Sequence, residues 1–365
     1  MRRVWISVAV FVLSMLNSSP AMAQGKIIML LVPFLDGLSA DGKIAVGLNS
    51  SSGEAWRWTE EEGAQRIHAM GSLLPPSCPG VFISRDGRTI VGCVNDAEHN
   101  MGAGIWQGGQ NWSDNIGSLG GKAQDGILTS PYGISGDGSI IVGSSQTPDG
   151  KRHAFRWDAK NGMVDLGAMT GEGTTGFSRI NGISPDGRVL VGWDEDKGLP
   201  AMGGYQQWRG AIWWRGAERL VHPMGWAGEA VVTNSNGSLI AGYGHPASVQ
   251  TAWLYSAWDG KLYDLGALGE PGSLFDKSFP LAMSDDGLVI VGYCGTNPAT
   301  VACIWTPDTG MMGLLEYLTA RNVAGIEDWT RLAIATAITP DGKVIGGTGV
   351  NKNVQGTPSF IVTLP

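Results

Sequence analysis

A seven-bladed β-propeller of four-stranded antiparallel blades is the fold class this sequence predicts, and three observations predict it. The first is a phrase, Ser-x-Asp-Gly followed by a short aliphatic run and a glycine, that recurs seven times in 365 residues. It reads Ser39-Ala40-Asp41-Gly42 to Gly47, then Ser84 to Gly92, Ser135 to Gly143, Ser184 to Gly192, an altered copy Asn234-Ser235-Asn236-Gly237 to Gly242, Ser284 to Gly292, and Thr339 to Gly347. The second is the period. Successive turn glycines lie 45, 51, 49, 50, 50 and 55 residues apart, a repeat length that signals a propeller or a solenoid. The third is that each unit holds four strand-length segments, the strand count of a propeller blade.

Within a unit, the apolar residue before the turn and the alternating run after it read as two antiparallel strands, as in Gly182-Ile183-Ser184 and Arg188-Val189-Leu190-Val191-Gly192. Asp accepts nearby backbone N–H groups and Gly tolerates positive φ, so the phrase is a turn device. A third strand follows a variable loop and carries a small residue, an aromatic, any residue, then Trp. Examples are Ala55-Trp56-Arg57-Trp58, Ala154-Phe155-Arg156-Trp157 and Ala211-Ile212-Trp213-Trp214. The repeated Trp is expected to pack between neighbouring blades. A fourth strand is visible in Gly162–Gly167 and Gly260–Gly266.

A ring must close. Ser359–Leu364 matches a third strand with nothing after it, and Lys26–Leu31 precedes the first full unit. The two ends are therefore expected to share the last blade, which covers strand edges that otherwise invite aggregation. The short link from Leu31 to Leu38 leaves open that the N-terminal strand extends the first blade instead.

Met1-Arg2-Arg3, an apolar stretch from Val4 to Leu16 and Ala21-Met22-Ala23 form a series that reads as a secretory signal peptide over residues 1–23, cleaved before Gln24. The remainder, 24–365, is expected to be one propeller domain, periplasmic or secreted, with no membrane span. Removal of Arg2 and Arg3 moves the formal charge from −8 to −10, which argues against nucleic acid as a partner. With 56 glycines and 16% charged residues, the chain suits short strands and tight turns. Four cysteines in an exported chain invite pairing. Their places around hairpins predict Cys78–Cys93 and Cys294–Cys303 disulfides.

His153-Ala154-Phe155-Arg156-Trp157, with Ile183-Ser184-Pro185-Asp186-Gly187 and Ile141-Val142-Gly143, resembles the bacterial extracellular HAF repeat family over nearly the whole mature chain. The resemblance implies an exported repeat protein and brings no catalytic residues. His153 is read as a packing residue at a strand start.

In a propeller the turns of strands one to two and three to four open on one face, and the remaining loops open on the other. Here the first set is short and repetitive and the second long and individual, which places binding on the second face and at the channel mouth. Candidate ligand-binding residues there are Tyr132, Asn181, Trp208, Trp226, Lys277 and Trp329, because aromatics beside amides suit sugars or other small ligands. Candidate acid–base residues are Glu229 and Asp276, with Arg179 and Arg331 as partners. Asp194-Glu195-Asp196 reads as a solvated acidic loop rather than a calcium site. No histidine lies at metal-ligand spacing, so no metal or cofactor is called. No nucleophile elbow, Walker loop or His-Glu-x-x-His is present. The leading expectation is a glycan or small-molecule binding protein, with a protein partner also open. The alternative is a hydrolase or lyase drawing its acid and base from several blades.

Overall fold

In the computed structural model of the protein the described residues are 25–49, 52–67, 78–109, 112–113, 115–168, 176–195, 208–221, 227–245 and 250–365. The leader-like segment 1–23, Asp196 and Trp226 lie outside them. Strand β1 (Lys26–Leu30) precedes the first blade, which is β2 (Leu35–Leu38), β3 (Ile44–Asn49), β4 (Glu54–Thr59) and β5 (Gly63–Ile67). The second blade holds β6 (Phe82–Ile83), β7 (Ile90–Asn95) and β8 (Met101–Trp106). Its fourth position is taken by an irregular segment, in which Ser113 and Ile116 donate backbone N–H groups to Ile105 and Ala103 of β8. The third blade is β9 (Thr129–Ile134), β10 (Ile140–Gln146), β11 (Arg152–Asp158) and β12 (Gly162–Asp165). The fourth is β13 (Ser178–Ile183), β14 (Val189–Glu195), β15 (Trp208–Trp214) and β16 (Ala217–Leu220). The fifth is β17 (Ala227–Thr233), β18 (Leu239–His245), β19 (Thr251–Ser256) and β20 (Leu262–Gly266), and the sixth is β21 (Ser278–Met283), β22 (Ile290–Cys294), β23 (Val301–Thr306) and β24 (Gly310–Gly313). After a short helix, Leu314–Thr319, the seventh blade is β25 (Trp329–Ile338), β26 (Val344–Asn351) and β27 (Ser359–Thr363), and β1 completes it. Among the described residues no helix is long and apolar enough to cross a membrane.

The seven-bladed propeller is therefore present, and β1 closes it by pairing antiparallel with β27, from Lys26 opposite Thr363 to Leu30 opposite Ser359. The first strand of each blade packs on the first strands of its neighbours, so these strands ring the axis. Core residues sit between blades. At the boundary of the fourth and fifth, for example, Val189, Val191 and Ile212 pack on Ala230, Ile240 and Trp253.

The recurring phrase is a hydrogen-bonded turn. In the first blade the Ser39 hydroxyl donates to Asp41 Oδ1 at 2.7 Å and accepts from the Ile44 N–H, while Asp41 also accepts from the Lys43 N–H. Ser84, Ser135, Ser184 and Ser284 repeat this pattern, and Thr339 does so with its own hydroxyl. In the altered copy Asn234 and Asn236 accept from the Leu239 and Ser238 N–H groups. The amides thus replace hydroxyl and carboxylate without losing the turn. The seryl hydroxyl and backbone N–H hold Asp41, Asp86 and Asp137 below the usual carboxylate range.

The glycine that ends each aliphatic run has a separate cause. In six blades the first strand bulges by one residue opposite that glycine, at Asp36, Tyr132, Asn181, Val231, Leu281 and Thr336. The bulge swings a carbonyl against the second strand. A Cβ at Gly47, Gly143, Gly192, Gly242, Gly292 or Gly347 would lie within 2.1 Å of the carbonyl oxygen of Phe34, Ser130, Arg179, Glu229, Phe279 or Ile334. Only hydrogen fits there.

Three sequence expectations change. Cys78 and Cys93 are joined, but Cys294 and Cys303 are buried free thiols. Cys303 stands opposite Gly292 and Cys294 opposite Val301, so the two are diagonal neighbours on paired strands, with thiols that interact but are not joined. Burial pushes the Cys303 thiol up, and Cys294 beside it adds to the shift. Asp194 and Glu195 are not a solvated loop: they are buried at the end of β14, where Glu195 accepts the Gly176 N–H at 2.8 Å. The third-strand register also differs in the fourth blade. Gly192 faces Ala211 there, whereas Gly47 faces Trp56. Trp213 is therefore the repeat tryptophan, 2% exposed, and Trp214 stands one place beyond it, 54% exposed. One residue of slip moves a side chain to the other face.

Candidate functional site

The two ends of the channel are built differently. At the turn end, the residue after each phrase-opening Ser donates its N–H to the carbonyl of the equivalent residue in the next blade. Ala40 donates to Arg85, Arg85 to Gly136 and Gly136 to Pro185, and then Ser235 to Asp285 and Asp285 to Pro340. The circle breaks only after Pro185 and Pro340, which have no N–H to donate. Across it, the Arg85 guanidinium makes a two-pronged pair with the Asp285 carboxylate, joining the second blade to the sixth. This end is thus crossed by an ion pair.

At the loop end the bulges and their flanks present side chains from neighbouring blades to one another. Arg179 of β13 donates from Nε to Asn181 Oδ1 at 2.7 Å, from Nη1 to the Tyr132 hydroxyl at 3.3 Å and from Nη2 to Glu229 Oε2 at 2.6 Å. Asn181 donates from Nδ2 to the same Glu229 oxygen and to the Ala230 carbonyl, both at 2.9 Å. Glu229, on β17, is 5% exposed. Its burial is tolerable because two donors meet it, one of them charged. The guanidinium also lies 4.5 Å from the Tyr132 ring centre and 5.5 Å from that of Trp193, within cation–π range. Burial works against the Arg179 charge, but Glu229, Tyr132 and Tyr243 together more than offset it and Arg179 is held above its ordinary range.

Aromatic residues extend this cluster in both directions. Trp193 stacks on Trp208 with centroids 4.4 Å apart. On the other side Tyr243, opposite Glu229 on β18, meets Phe279 edge-on at 4.9 Å, and Phe279 stacks on Tyr293 at 4.7 Å. Burial, then the Glu229 charge, pushes the Tyr243 hydroxyl up, so it stays a neutral donor. A strip of alternating aromatic and charged groups thus runs from the third blade to the sixth.

The bulge residues also bind the ring together. Asn181 reaches the Ala230 carbonyl, Thr336 donates to the Leu35 carbonyl at 2.5 Å, and Asp36 accepts the Val81 N–H at 3.2 Å. Asp36 keeps some surface, yet the protein crowding it pushes its carboxyl up to about 7 against the backbone hydrogen bonds it receives.

Of the residues singled out by sequence, the structure brings Tyr132, Arg179, Asn181 and Glu229 together, with Trp208 reaching them through Trp193. It places the others elsewhere. Asp276 accepts the Gly272 N–H within its own loop at 2.8 Å, Arg331 donates to the Pro298 carbonyl at 2.9 Å, and Lys277 accepts the Gly295 N–H through its backbone. Trp329 is buried in the seventh blade, edge-on to Phe360 at 5.7 Å. His153 pairs with Asp165, joining the third and fourth strands of its blade. Tyr243, Phe279 and Tyr293 were not among the sequence candidates, although each sits beside a strand-pairing glycine or opposite such a neighbour, positions the repeat itself marks. Among the described residues no group of three His, Cys, Asp or Glu side chains is placed to hold a metal ion.

No family model matches the chain, and no curated protein does. Among solved structures it is similar to oligogalacturonate lyase from Vibrio parahaemolyticus, at 12% identity and TM-score 0.57 over 94% of this chain and 99% of that one. It is also similar to the β-propeller domain of the Trilobed protease from Pyrococcus furiosus, at 10% identity and TM-score 0.53 over 93% and 95%. That domain is described as having an open velcro topology, whereas β1 and β27 are paired here. At these identities the likeness is one of fold, and the chain is a β-propeller.

Proposed function

We propose that the protein is an exported propeller that binds a glycan or other small polar ligand at the loop-facing mouth of its channel. The observation that carries this reading is the convergence of Tyr132, Arg179, Asn181 and Glu229 from three neighbouring blades, flanked by stacked aromatic rings. Ring faces supply apolar contact to a sugar, and fixed polar groups orient it. The leader-like N-terminus supports export. Binding suits the geometry better than acid–base catalysis, because Glu229 is already held by Arg179 and Asn181 and the other candidate acid, Asp276, lies in a separate loop.

The test is calorimetric titration with neutral and uronic-acid oligosaccharides. A ligand is expected whose affinity falls at least tenfold, about 1.4 kcal/mol, in Arg179→Ala and in Tyr132→Ala. A panel with no response in the wild type, or variants that bind as it does, refutes the reading.

A further inference from the structure

A second aromatic site lies at the opposite end of the molecule, on the face whose turns look repetitive. A groove of about 520 Å3 runs between the fourth and fifth blades, with Val189, Ile212, Ala217 and Ala257 as its apolar lining. Trp214 and Trp258, from the two blades, line it as well, and Asn236 and Ser238 of the altered turn contribute amide and hydroxyl. The volume is that of a small-molecule site.

Neither tryptophan serves the repeat. At the place of Trp214, three residues past the partner of the strand-pairing glycine, the other blades carry Thr59, Gln107, Asp158, Ser256, Thr306 and Thr363. All six are polar. Trp258 is 94% exposed in a turn where blades of the same turn length carry Glu61, Lys160 and Asp308. Large apolar side chains at positions otherwise polar, both bordering one groove, are what a binding surface requires and packing does not. The Arg215 guanidinium lies 4.9 Å from the Trp214 ring centre, which steadies that indole.

We infer that this groove is a glycan-binding site, taking a neutral pyranose chain across Trp214 and Trp258. Exposed indole faces match the apolar faces of sugar rings. The Asn236 amide nitrogen and the Ser238 hydroxyl proton remain to meet sugar hydroxyls, since Asn236 Oδ1 accepts the Ser238 N–H and the Ser238 oxygen accepts from Asn234. A neutral chain fits best, because Glu218, the one carboxylate among the residues lining the groove, has its carboxyl pushed up to about 8 by burial and by the neighbouring Asp194, and the protein as a whole is acidic.

The experiment uses the mature protein and neutral hexasaccharides of β-1,4-glucose, β-1,4-xylose, α-1,4-glucose and β-1,4-N-acetylglucosamine, followed by calorimetry and by indole emission. At least one is expected to bind, with affinity falling tenfold or more in Trp214→Ala and in Trp258→Ala while circular dichroism and melting stay as in the wild type. Arg179→Ala, at the other end, keeps this binding, so failure of the loop-end reading leaves a distinct signature. The inference is overturned if no hexasaccharide binds, if both tryptophan variants bind like the wild type, or if the protein self-associates through Trp258 and excludes sugar.

Discussion

At the scale of single residues, Asp36 shows how the channel wall alters a side chain. Its carboxyl is pushed up to about 7, above its ordinary range, so between about pH 4 and 7 the folded protein holds a proton that the unfolded chain releases. Stability attributable to this group falls as pH rises through that window and stays lost above it. Asp36→Asn keeps an acceptor for the Val81 N–H and cannot ionise. Its melting temperature relative to the wild type is therefore expected to rise between pH 4 and 8, by about 2 °C or more, and a pH-independent difference in thermal scans refutes this. Sequence picked out Arg179, Asn181, Glu229 and Tyr132 because they depart from the repeat, and departure is visible without coordinates. Trp214 was hidden by the opposite circumstance. Ala211-Ile212-Trp213-Trp214 satisfies the third-strand pattern one residue out of register, and only pairing with β14 reveals which tryptophan fills the repeat position. Trp329 lies apart from the cluster for a related reason: a strand that begins earlier than its counterparts places it in the core.

At the scale of elements, the glycine closing each aliphatic run was legible as part of a motif but not in its cause. The bulge it permits depends on a carbonyl from another strand. Gly143→Ala would set a Cβ 2.0 Å from the Ser130 oxygen, with Phe155 and Pro131 also close. A loss of about 3 kcal/mol is expected in denaturant unfolding, as for other overpacked sites. Gly63→Ala is the comparison. Its φ of +67° is unfavourable to alanine, yet nothing lies within 4 Å, so its cost should be nearer 1–2 kcal/mol. Equal costs would show that the bulge relaxes around a methyl group. The same distinction separates the two cysteine pairs. Sequence placed both near hairpins, but only register tells that Cys294 and Cys303 stand diagonally on paired strands.

At the scale of the whole molecule, the period and the motif sufficed for blade number, whereas the chain ends pointed to closure but left the short Leu31–Leu38 link as an alternative, which the β1–β27 pairing decides. The contrast between the two ends of the channel was only half legible. Short turns were read as repetitive, whereas Arg85 and Asp285, unremarkable in their own repeats, meet across the axis. Removing residues 25–30 takes away β1 with buried Ile27 and Leu30 and uncovers the β27 edge. Size-exclusion chromatography is expected to show aggregates or strand-exchanged oligomers in place of a monomeric species. A well-behaved monomer with an unchanged melt would mean that three strands suffice for the last blade. The β1–β27 pairing also bears on the order of events during synthesis. Strand β1 must wait, unpartnered, until β27 has been translated. Vectorial folding can assemble the intervening blades one after another, but the circle stays unlatched until β27 has emerged, and during that interval its waiting edges need protection from other nascent chains.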